Sequence, residues 1–274
     1  MNAVVGGIAR YPVKSCRGAA VSAACVEPWG LRGDRRWMIT DPDGEFVTAR
    51  TVHRLLLVEP TPVDDGLVLR APGATPLHVP EPAGGLTDVV VWRDTVAATP
   101  AGPEADAWLS AVIGRPLRLV HLDDPTRRPV DQDYGRPDDR VSFADGFPLL
   151  LTTEGSLAAL NELIADGPNA AEGPMSMVRF RPNVVIAGTP AWAEDGWRSI
   201  RIGAARFRVV KPCGRCVLTT IDPETAAKGR EPLATLARHR RDGKKVLFGV
   251  NLVPDTPGAT IRVGDPCEWE VRGP

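Results

Sequence analysis

Residues 36–49 read Arg36-Trp37-Met38-Ile39-Thr40-Asp41-Pro42-Asp43-Gly44-Glu45-Phe46-Val47-Thr48-Ala49, and the fold class turns on them. Two runs rich in β-branched and aromatic residues flank a four-residue turn. Pro42 fixes φ at its second position and Gly44 tolerates positive φ at its end. The pattern predicts a hairpin with arms at 36–40 and 45–49. Working outward, 55–58 and 67–69 repeat the pattern around Asp64-Asp65-Gly66, and 88–92 reads as a further strand. Residues 104–113 place Ala105, Trp108, Leu109, Val112 and Ile113 on one helical face, ended by Gly114 and Pro116. The polar segment 121–140 lacks periodicity and reads as a long connection that could lie over a site. Beyond it, strands are predicted at 147–151, 183–187 and 217–221, and a hairpin over 199–210 about Gly203. A helix is predicted at 154–164 with Thr153 as its cap, and a short one at 233–239 with Pro232 in its first turn. Strands at 260–263 and 268–271 close the chain. The few helices do not alternate with strands, which argues against a doubly wound sheet. The expected architecture is mainly β and barrel-like, with few peripheral helices.

Composition agrees with that reading. The 274 residues include 27 Gly and 27 Pro, which favours turns and short elements, and 43% are hydrophobic, enough for a buried core. Lys plus Arg number 33 against 34 Asp plus Glu, so the chain lacks the basic excess of a nucleic-acid binder. No apolar run approaches the roughly 18 to 20 residues of a membrane span. The first ten residues lack the basic start and longer apolar run of an export leader. Five cysteines, at 16, 25, 213, 216 and 267, form an odd and sparse set that fits a reducing compartment. A cytoplasmic location is expected.

The sharpest chemical feature is Lys211-Pro212-Cys213-Gly214-Arg215-Cys216, followed by Val217-Leu218-Thr219-Thr220-Ile221. A thioredoxin-like redox pair would need a helix opening at the first thiol, whereas the following residues prefer strand. Structural zinc would need a second cysteine pair, and only Cys16, Cys25, Cys267 and four scattered histidines remain. A third reading is one thiolate acting as metal ligand or nucleophile among basic residues, a soft donor suited to a transition metal or to sulfur transfer. The plain alternative is two packed cysteines on a strand. Basic clusters recur at Tyr11-Pro12-Val13-Lys14-Ser15-Cys16-Arg17-Gly18, Asp34-Arg35-Arg36-Trp37 and Arg179-Phe180-Arg181-Pro182-Asn183. In a near-neutral chain, these clusters point to one shared anionic ligand. His53, His78, His121 and His239 share no metal spacing and read as surface residues.

Taken together, these motifs identify a resemblance. Along nearly its whole length the chain resembles the MOSC-domain (molybdenum cofactor sulfurase C-terminal) proteins with an N-terminal β-barrel partner domain. The N-terminal half carries Tyr11 to Gly18, Gly30-Leu31, Asp34 to Met38 and Thr48-Ala49-Arg50; the C-terminal half carries Phe180 to Ile186, Arg215 to Thr225, Phe248-Gly249 and Val263 to Pro266. The closest functional type it looks like is the amidoxime-reducing group.

The resemblance implies an N-terminal domain over 1–120 and a cofactor-binding MOSC domain over 121–274. It implies a molybdenum cofactor, a pyranopterin without a further nucleotide, whose metal is ligated by Cys216 with Cys213 as neighbour. It carries cofactor contacts to Lys14, Ser15, Arg35, Arg181, Asn183, Arg215 and Asn251, and makes Asp145 a candidate proton relay. The implied reaction reduces N-hydroxylated or other N–O compounds to amines or amidines. No further Cys cluster exists for an iron–sulfur centre in this chain. Electrons are therefore expected from a separate flavin, iron–sulfur or haem protein. The alternatives are a sulfurtransferase using a Cys216 persulfide, or a non-catalytic cofactor carrier. The chain departs from vertebrate members at Gly146-Phe147, where they carry two hydroxyl residues, at Gly214 in place of Ser, and at Asn251 in place of Tyr.

Overall fold

The computed structural model describes residues 3–272; Met1 and Asn2, part of the stretch read for a leader, and Gly273 and Pro274 lie outside them. Strands dominate, with three α-helices among the described residues. The largest sheet runs in the order Cys267–Val271, Trp197–Ile202, Ala205–Gly214, Lys245–Pro254, Leu149–Thr153, Val184–Ala187, Val4–Arg10 and Ala19–Val21, and Arg241–Asp242 pairs with Lys245–Pro254. Leu149–Thr153 and Val184–Ala187 pair in parallel. Parallel neighbours need a crossover, and the helix Glu154–Ala165 lies on it. Thr153 caps that helix by accepting from the Ser156 N–H at 3.1 Å, as expected. The inward faces of this sheet bury Val5, Ile8, Leu151, Ile186, Ile200, Phe207 and Leu252 as one core.

A second core forms around the helix Pro103–Ile113, whose Ala105, Leu109 and Ile113 meet Ile39, Leu55, Leu67 and Leu119. Gly114 ends this helix in the left-handed conformation (φ 88°) that its lack of Cβ permits. Around this core lie the sheet Trp37–Thr40, Arg118–His121, Asp94–Pro100 and Thr87–Val91, and the meander Glu59–Val63, Gly66–Arg70 and Leu77–Pro80. The two parts of the chain interlock. Val4–Arg10 is hydrogen-bonded to Val184–Ala187 inside the large sheet, and Ala23–Glu27 pairs with Thr260–Arg262.

Four local expectations are corrected. The 45–49 arm is reduced to isolated bridges at Glu45 and Phe46: Val47 N–H still donates to the Ile39 carbonyl at 2.8 Å, but Phe46 N–H turns to the Val90 carbonyl, and the regular ladder of Trp37–Thr40 forms with Arg118–His121 on its other edge. Residues 55–57 lie in the short 3₁₀ turn His53–Leu57, which Val58 ends, and the strand that pairs with Gly66–Arg70 is Glu59–Val63. Residues 217–221 are no strand: Val217–Thr220 is another 3₁₀ turn. His121 is buried, its ring 4.5 Å from that of Trp37.

Candidate active site

The cavity forms where strand ends meet. Ala9 N–H donates to the Asn183 carbonyl at 3.0 Å, and Leu150 N–H to Asn183 Oδ1 at 3.2 Å, so the segments after Val4–Arg10, before Val184–Ala187 and beside Leu149–Thr153 converge. Asn251 lies opposite both Leu150 and Lys211 in the sheet register. Into this space come Lys14 and Ser15, Arg35, Asp145, Arg181 and Asn183, and the Cys213–Cys216 turn with Asn251. Every residue singled out from the sequence for cofactor or catalysis thus lines one cavity.

The electrostatics of the cavity are uneven. Lys14 is buried and donates to Asp145 Oδ1 at 2.5 Å and to the Phe143 carbonyl at 2.8 Å. Burial lowers its ammonium to about 8, opposed by the Asp145 charge. Asp145 also accepts from Arg50 Nη2 at 3.1 Å. The surrounding protein pushes its carboxyl up, but Lys14, Arg50 and Arg35 outweigh that and hold it well below the usual carboxylate range. Arg35 is already matched: its Nη1 donates to the buried carboxylate of Asp34 at 2.5 Å and to Asn183 Oδ1 at 2.9 Å. Arg181 and Arg215 bond mainly to backbone instead, through the Cys16 carbonyl at 2.7 Å and the Phe180 carbonyl at 2.7 Å. Arg215 Nη1 also approaches Cys213 Sγ at 3.0 Å. Nη2 of Arg181 and Nε of Arg215 are buried without a hydrogen-bond partner. Two cations with unsatisfied donors in a cavity wall are costly alone and fit an anion.

The backbone is strained in the same place. Ser15, Arg35 and Arg181 have φ of 68°, 47° and 55°, three of the six positive-φ non-glycine residues among those described. Such conformations persist where surrounding structure over-determines them, commonly at ligand sites.

Other basic residues are turned elsewhere. Arg36 donates to the Leu122 and Asp123 carbonyls, Arg179 pairs with Asp222 at 2.8 Å, and Arg17 pairs with Glu224 at 2.8 Å beside a neighbouring depression. Lys211 lies over the rings of Tyr134 and Phe147 at 4.0 and 4.9 Å, bringing the 121–140 connection beside the cavity. Two participants were not singled out from the sequence. Arg50 was quoted only as part of a motif, although it lines the cavity and stacks on Trp92 at 4.3 Å. Buried Arg128 fastens the Ser142, Ala144 and Asp145 carbonyls and so shapes the loop that presents Asp145. Gly146 leaves its side of the cavity open, since a Cβ there would meet nothing within 4 Å.

No group of three or more His, Cys, Asp or Glu among the described residues could hold a metal by itself. Cys216 supplies one thiol, so a metal seated here must bring its other ligands with it.

The family descriptions "MOSC N-terminal beta barrel domain" and "MOSC domain" match residues 2–116 and 138–268. The mitochondrial amidoxime-reducing component 1 of Homo sapiens is 36% identical over 285 residues, covering 96% of this chain and 82% of that protein. The chain belongs to this MOSC family. The human mitochondrial amidoxime reducing component 2 is 34% identical, over 96% of this chain and 83% of its own length. Among solved structures, the YUAD protein from Bacillus subtilis is similar at 12% identity and a TM-score of 0.44, covering 100% of this chain and 98% of that one.

Proposed function

We propose that this chain is a molybdenum-cofactor-dependent oxidoreductase that reduces N-hydroxylated compounds to amines or amidines. The observation that carries the reading is the gathering of the Cys216 thiol with Lys14, Arg181 and Arg215 in one cavity, two of these cations holding buried unpartnered nitrogens. The relatives' names, amidoxime-reducing components, supply the reaction class.

These residues fit a pyranopterin that brings its own sulfur ligands to molybdenum. Cys216 would complete the metal's protein ligation, while Arg181 and Arg215 would donate to the oxyanion and polar edge of the pterin. Ser15 and Asn251 would flank it. Asn183, whose Oδ1 already accepts from Arg35 and Leu150, holds Arg35 in place. Bound there, that group supplies the two-electron exchange that N–O cleavage requires.

The chain's own part is to bind, orient and deliver protons. Each N–O bond reduced consumes two electrons and two protons and releases water. Lys14 Nζ, held near 8, is a proton reservoir matched to neutral pH, whereas Asp145 is held deprotonated. Asp145 therefore orients Lys14 and stabilises its protonated form rather than storing a proton itself. The electrons come from a separate redox protein.

Elemental and pterin analysis of purified chain, with benzamidoxime and a reduced viologen dye as electron source, tests this. Molybdenum near one per chain together with benzamidine formation is expected. Cyanide-releasable sulfur on Cys216 without metal would replace this reading with persulfide transfer.

A further inference from the structure

We propose that Tyr11 is a positioning residue for the cavity's anion site: its ring sets the spacing of the Arg35 and Arg181 guanidiniums. The inference rests on the reading of this cavity as the seat of an anionic cofactor. It concerns a residue that touches neither the thiol nor any group expected to react.

Tyr11 is 2% exposed, and both guanidinium carbons lie over its ring, Arg35 Cζ at 4.2 Å and Arg181 Cζ at 4.3 Å from the centroid. Asp34 balances Arg35 from one side, but Arg181 has no carboxylate partner among the described residues, and two guanidiniums against one side chain still repel each other unless what lies between them offers compensating density. An aromatic face does so without adding a formal charge that would compete with a bound anion. The phenol itself is neutral, because burial raises its pKa and outweighs the pull of the neighbouring arginines. A carboxylate in the same place would neutralise the guanidiniums instead of spacing them.

The main chain tells the same story. Arg35 and Arg181 sit in the left-handed region, which neither would hold unaided. Tyr11 reaches both segments: its carbonyl accepts from Arg35 N–H at 2.7 Å, its own N–H donates to Asp34 Oδ1 at 2.8 Å, and its hydroxyl donates to the Pro182 carbonyl at 3.1 Å. One residue thus fastens the neighbours of both strained arginines. The chain also keeps a slot for the ring. A Cβ at Gly18 would come within 2.3 Å of two of its carbons and 2.9 Å of the Arg10 carbonyl.

A role confined to filling space would be met by any bulky apolar residue. The test therefore compares Tyr11→Phe with Tyr11→Leu in the full chain freed of cofactor, titrated calorimetrically with inorganic phosphate and checked for folding by thermal melting. Gly18→Ala, which keeps the tyrosine and displaces its ring, is the third variant. The expected result is binding by Tyr11→Phe within about twofold of the unaltered chain, and about tenfold weaker binding by folded Tyr11→Leu. Gly18→Ala should weaken binding as Tyr11→Leu does, and it carries the test if Tyr11→Leu does not fold. Unaltered affinity in folded Tyr11→Leu or in Gly18→Ala overturns the proposal, as does a Tyr11→Phe as weak as Tyr11→Leu. Failure of the unaltered chain to bind phosphate overturns the anion-site reading beneath it as well, so the two failures are distinguishable.

Discussion

Replacing Asp145 by Asn isolates the charge that governs Lys14. Lys14 Nζ lies 2.5 Å from Asp145 Oδ1, with side-chain exposures of 5% and 61%. Burial has already lowered the ammonium to about 8, and the carboxylate is the strongest influence holding it up. An amide keeps an acceptor in nearly the same place but removes the charge. An opposite charge at this range moves a pKa by about 1 to 3 units, and water around the exposed carboxylate places this pair near the lower bound. Lys14 should therefore fall from about 8 to about 7 in Asp145→Asn. Competitive acetylation of the chain across a pH series, read by mass spectrometry of the Lys14 peptide, measures that midpoint directly. The alkaline limb of turnover should move down with it, because less Lys14 is protonated at any given pH. Stability has the same sign. The folded chain binds fewer protons than the unfolded one between about 8 and the ordinary lysine value of 10.5, so stability rises with pH across that window. In Asp145→Asn the rise should begin about one unit lower. A labelling midpoint that stays put or moves up would refute the reasoning.

Elemental analysis should find that Cys216→Ala loses molybdenum while Cys213→Ala retains most of it; equal loss contradicts a single protein thiolate. Arg181→Ala removes the guanidinium proposed to hold the pterin's oxyanion, where charged hydrogen bonds are typically worth ~1.5 to 3 kcal/mol each, and should lower pterin content measured by fluorescence after oxidation. Thr153→Ala removes the cap of Glu154–Ala165 and a donor to buried Glu194, and should cost about 1 kcal/mol or more in urea unfolding at unchanged slope.

Elements fixed by local chemistry were legible in the sequence. The helix Pro103–Ile113 had its apolar face, its terminal glycine and a following proline, and the structure closes it at Gly114. Elements fixed by distant partners were not. Nothing within 36–49 shows that Trp37–Thr40 builds its regular ladder with Arg118–His121, or that Phe46 N–H goes to the Val90 carbonyl. Residues 217–220 misled for a different reason. Val, Leu and two Thr prefer strand in general, but here Thr219 and Thr220 Oγ1 donate to the Cys216 and Val217 carbonyls, three residues back, and fold the segment into a turn. The cavity residues were recognisable because charge and motif marked them. Their strained backbone was not, since Ser15, Arg35 and Arg181 are not residue types that favour positive φ. Arg50 and Arg128 escaped notice because an isolated arginine in a loop looks like any solvated one.

The pairing of Val4–Arg10 with Val184–Ala187 has a consequence for synthesis of the chain. The opening strand leaves the ribosome about 180 residues ahead of its partner, so it must wait, with its edge bare, while the intervening segments mature around the helix Pro103–Ile113. Lys14, Ser15 and Arg35 come early, and Arg181, Arg215 and Cys216 arrive late. Nascent polypeptide released before residue 216 would therefore present an incomplete cavity, its late cations and thiol missing, and the pocket is finished only in the last stage of translation.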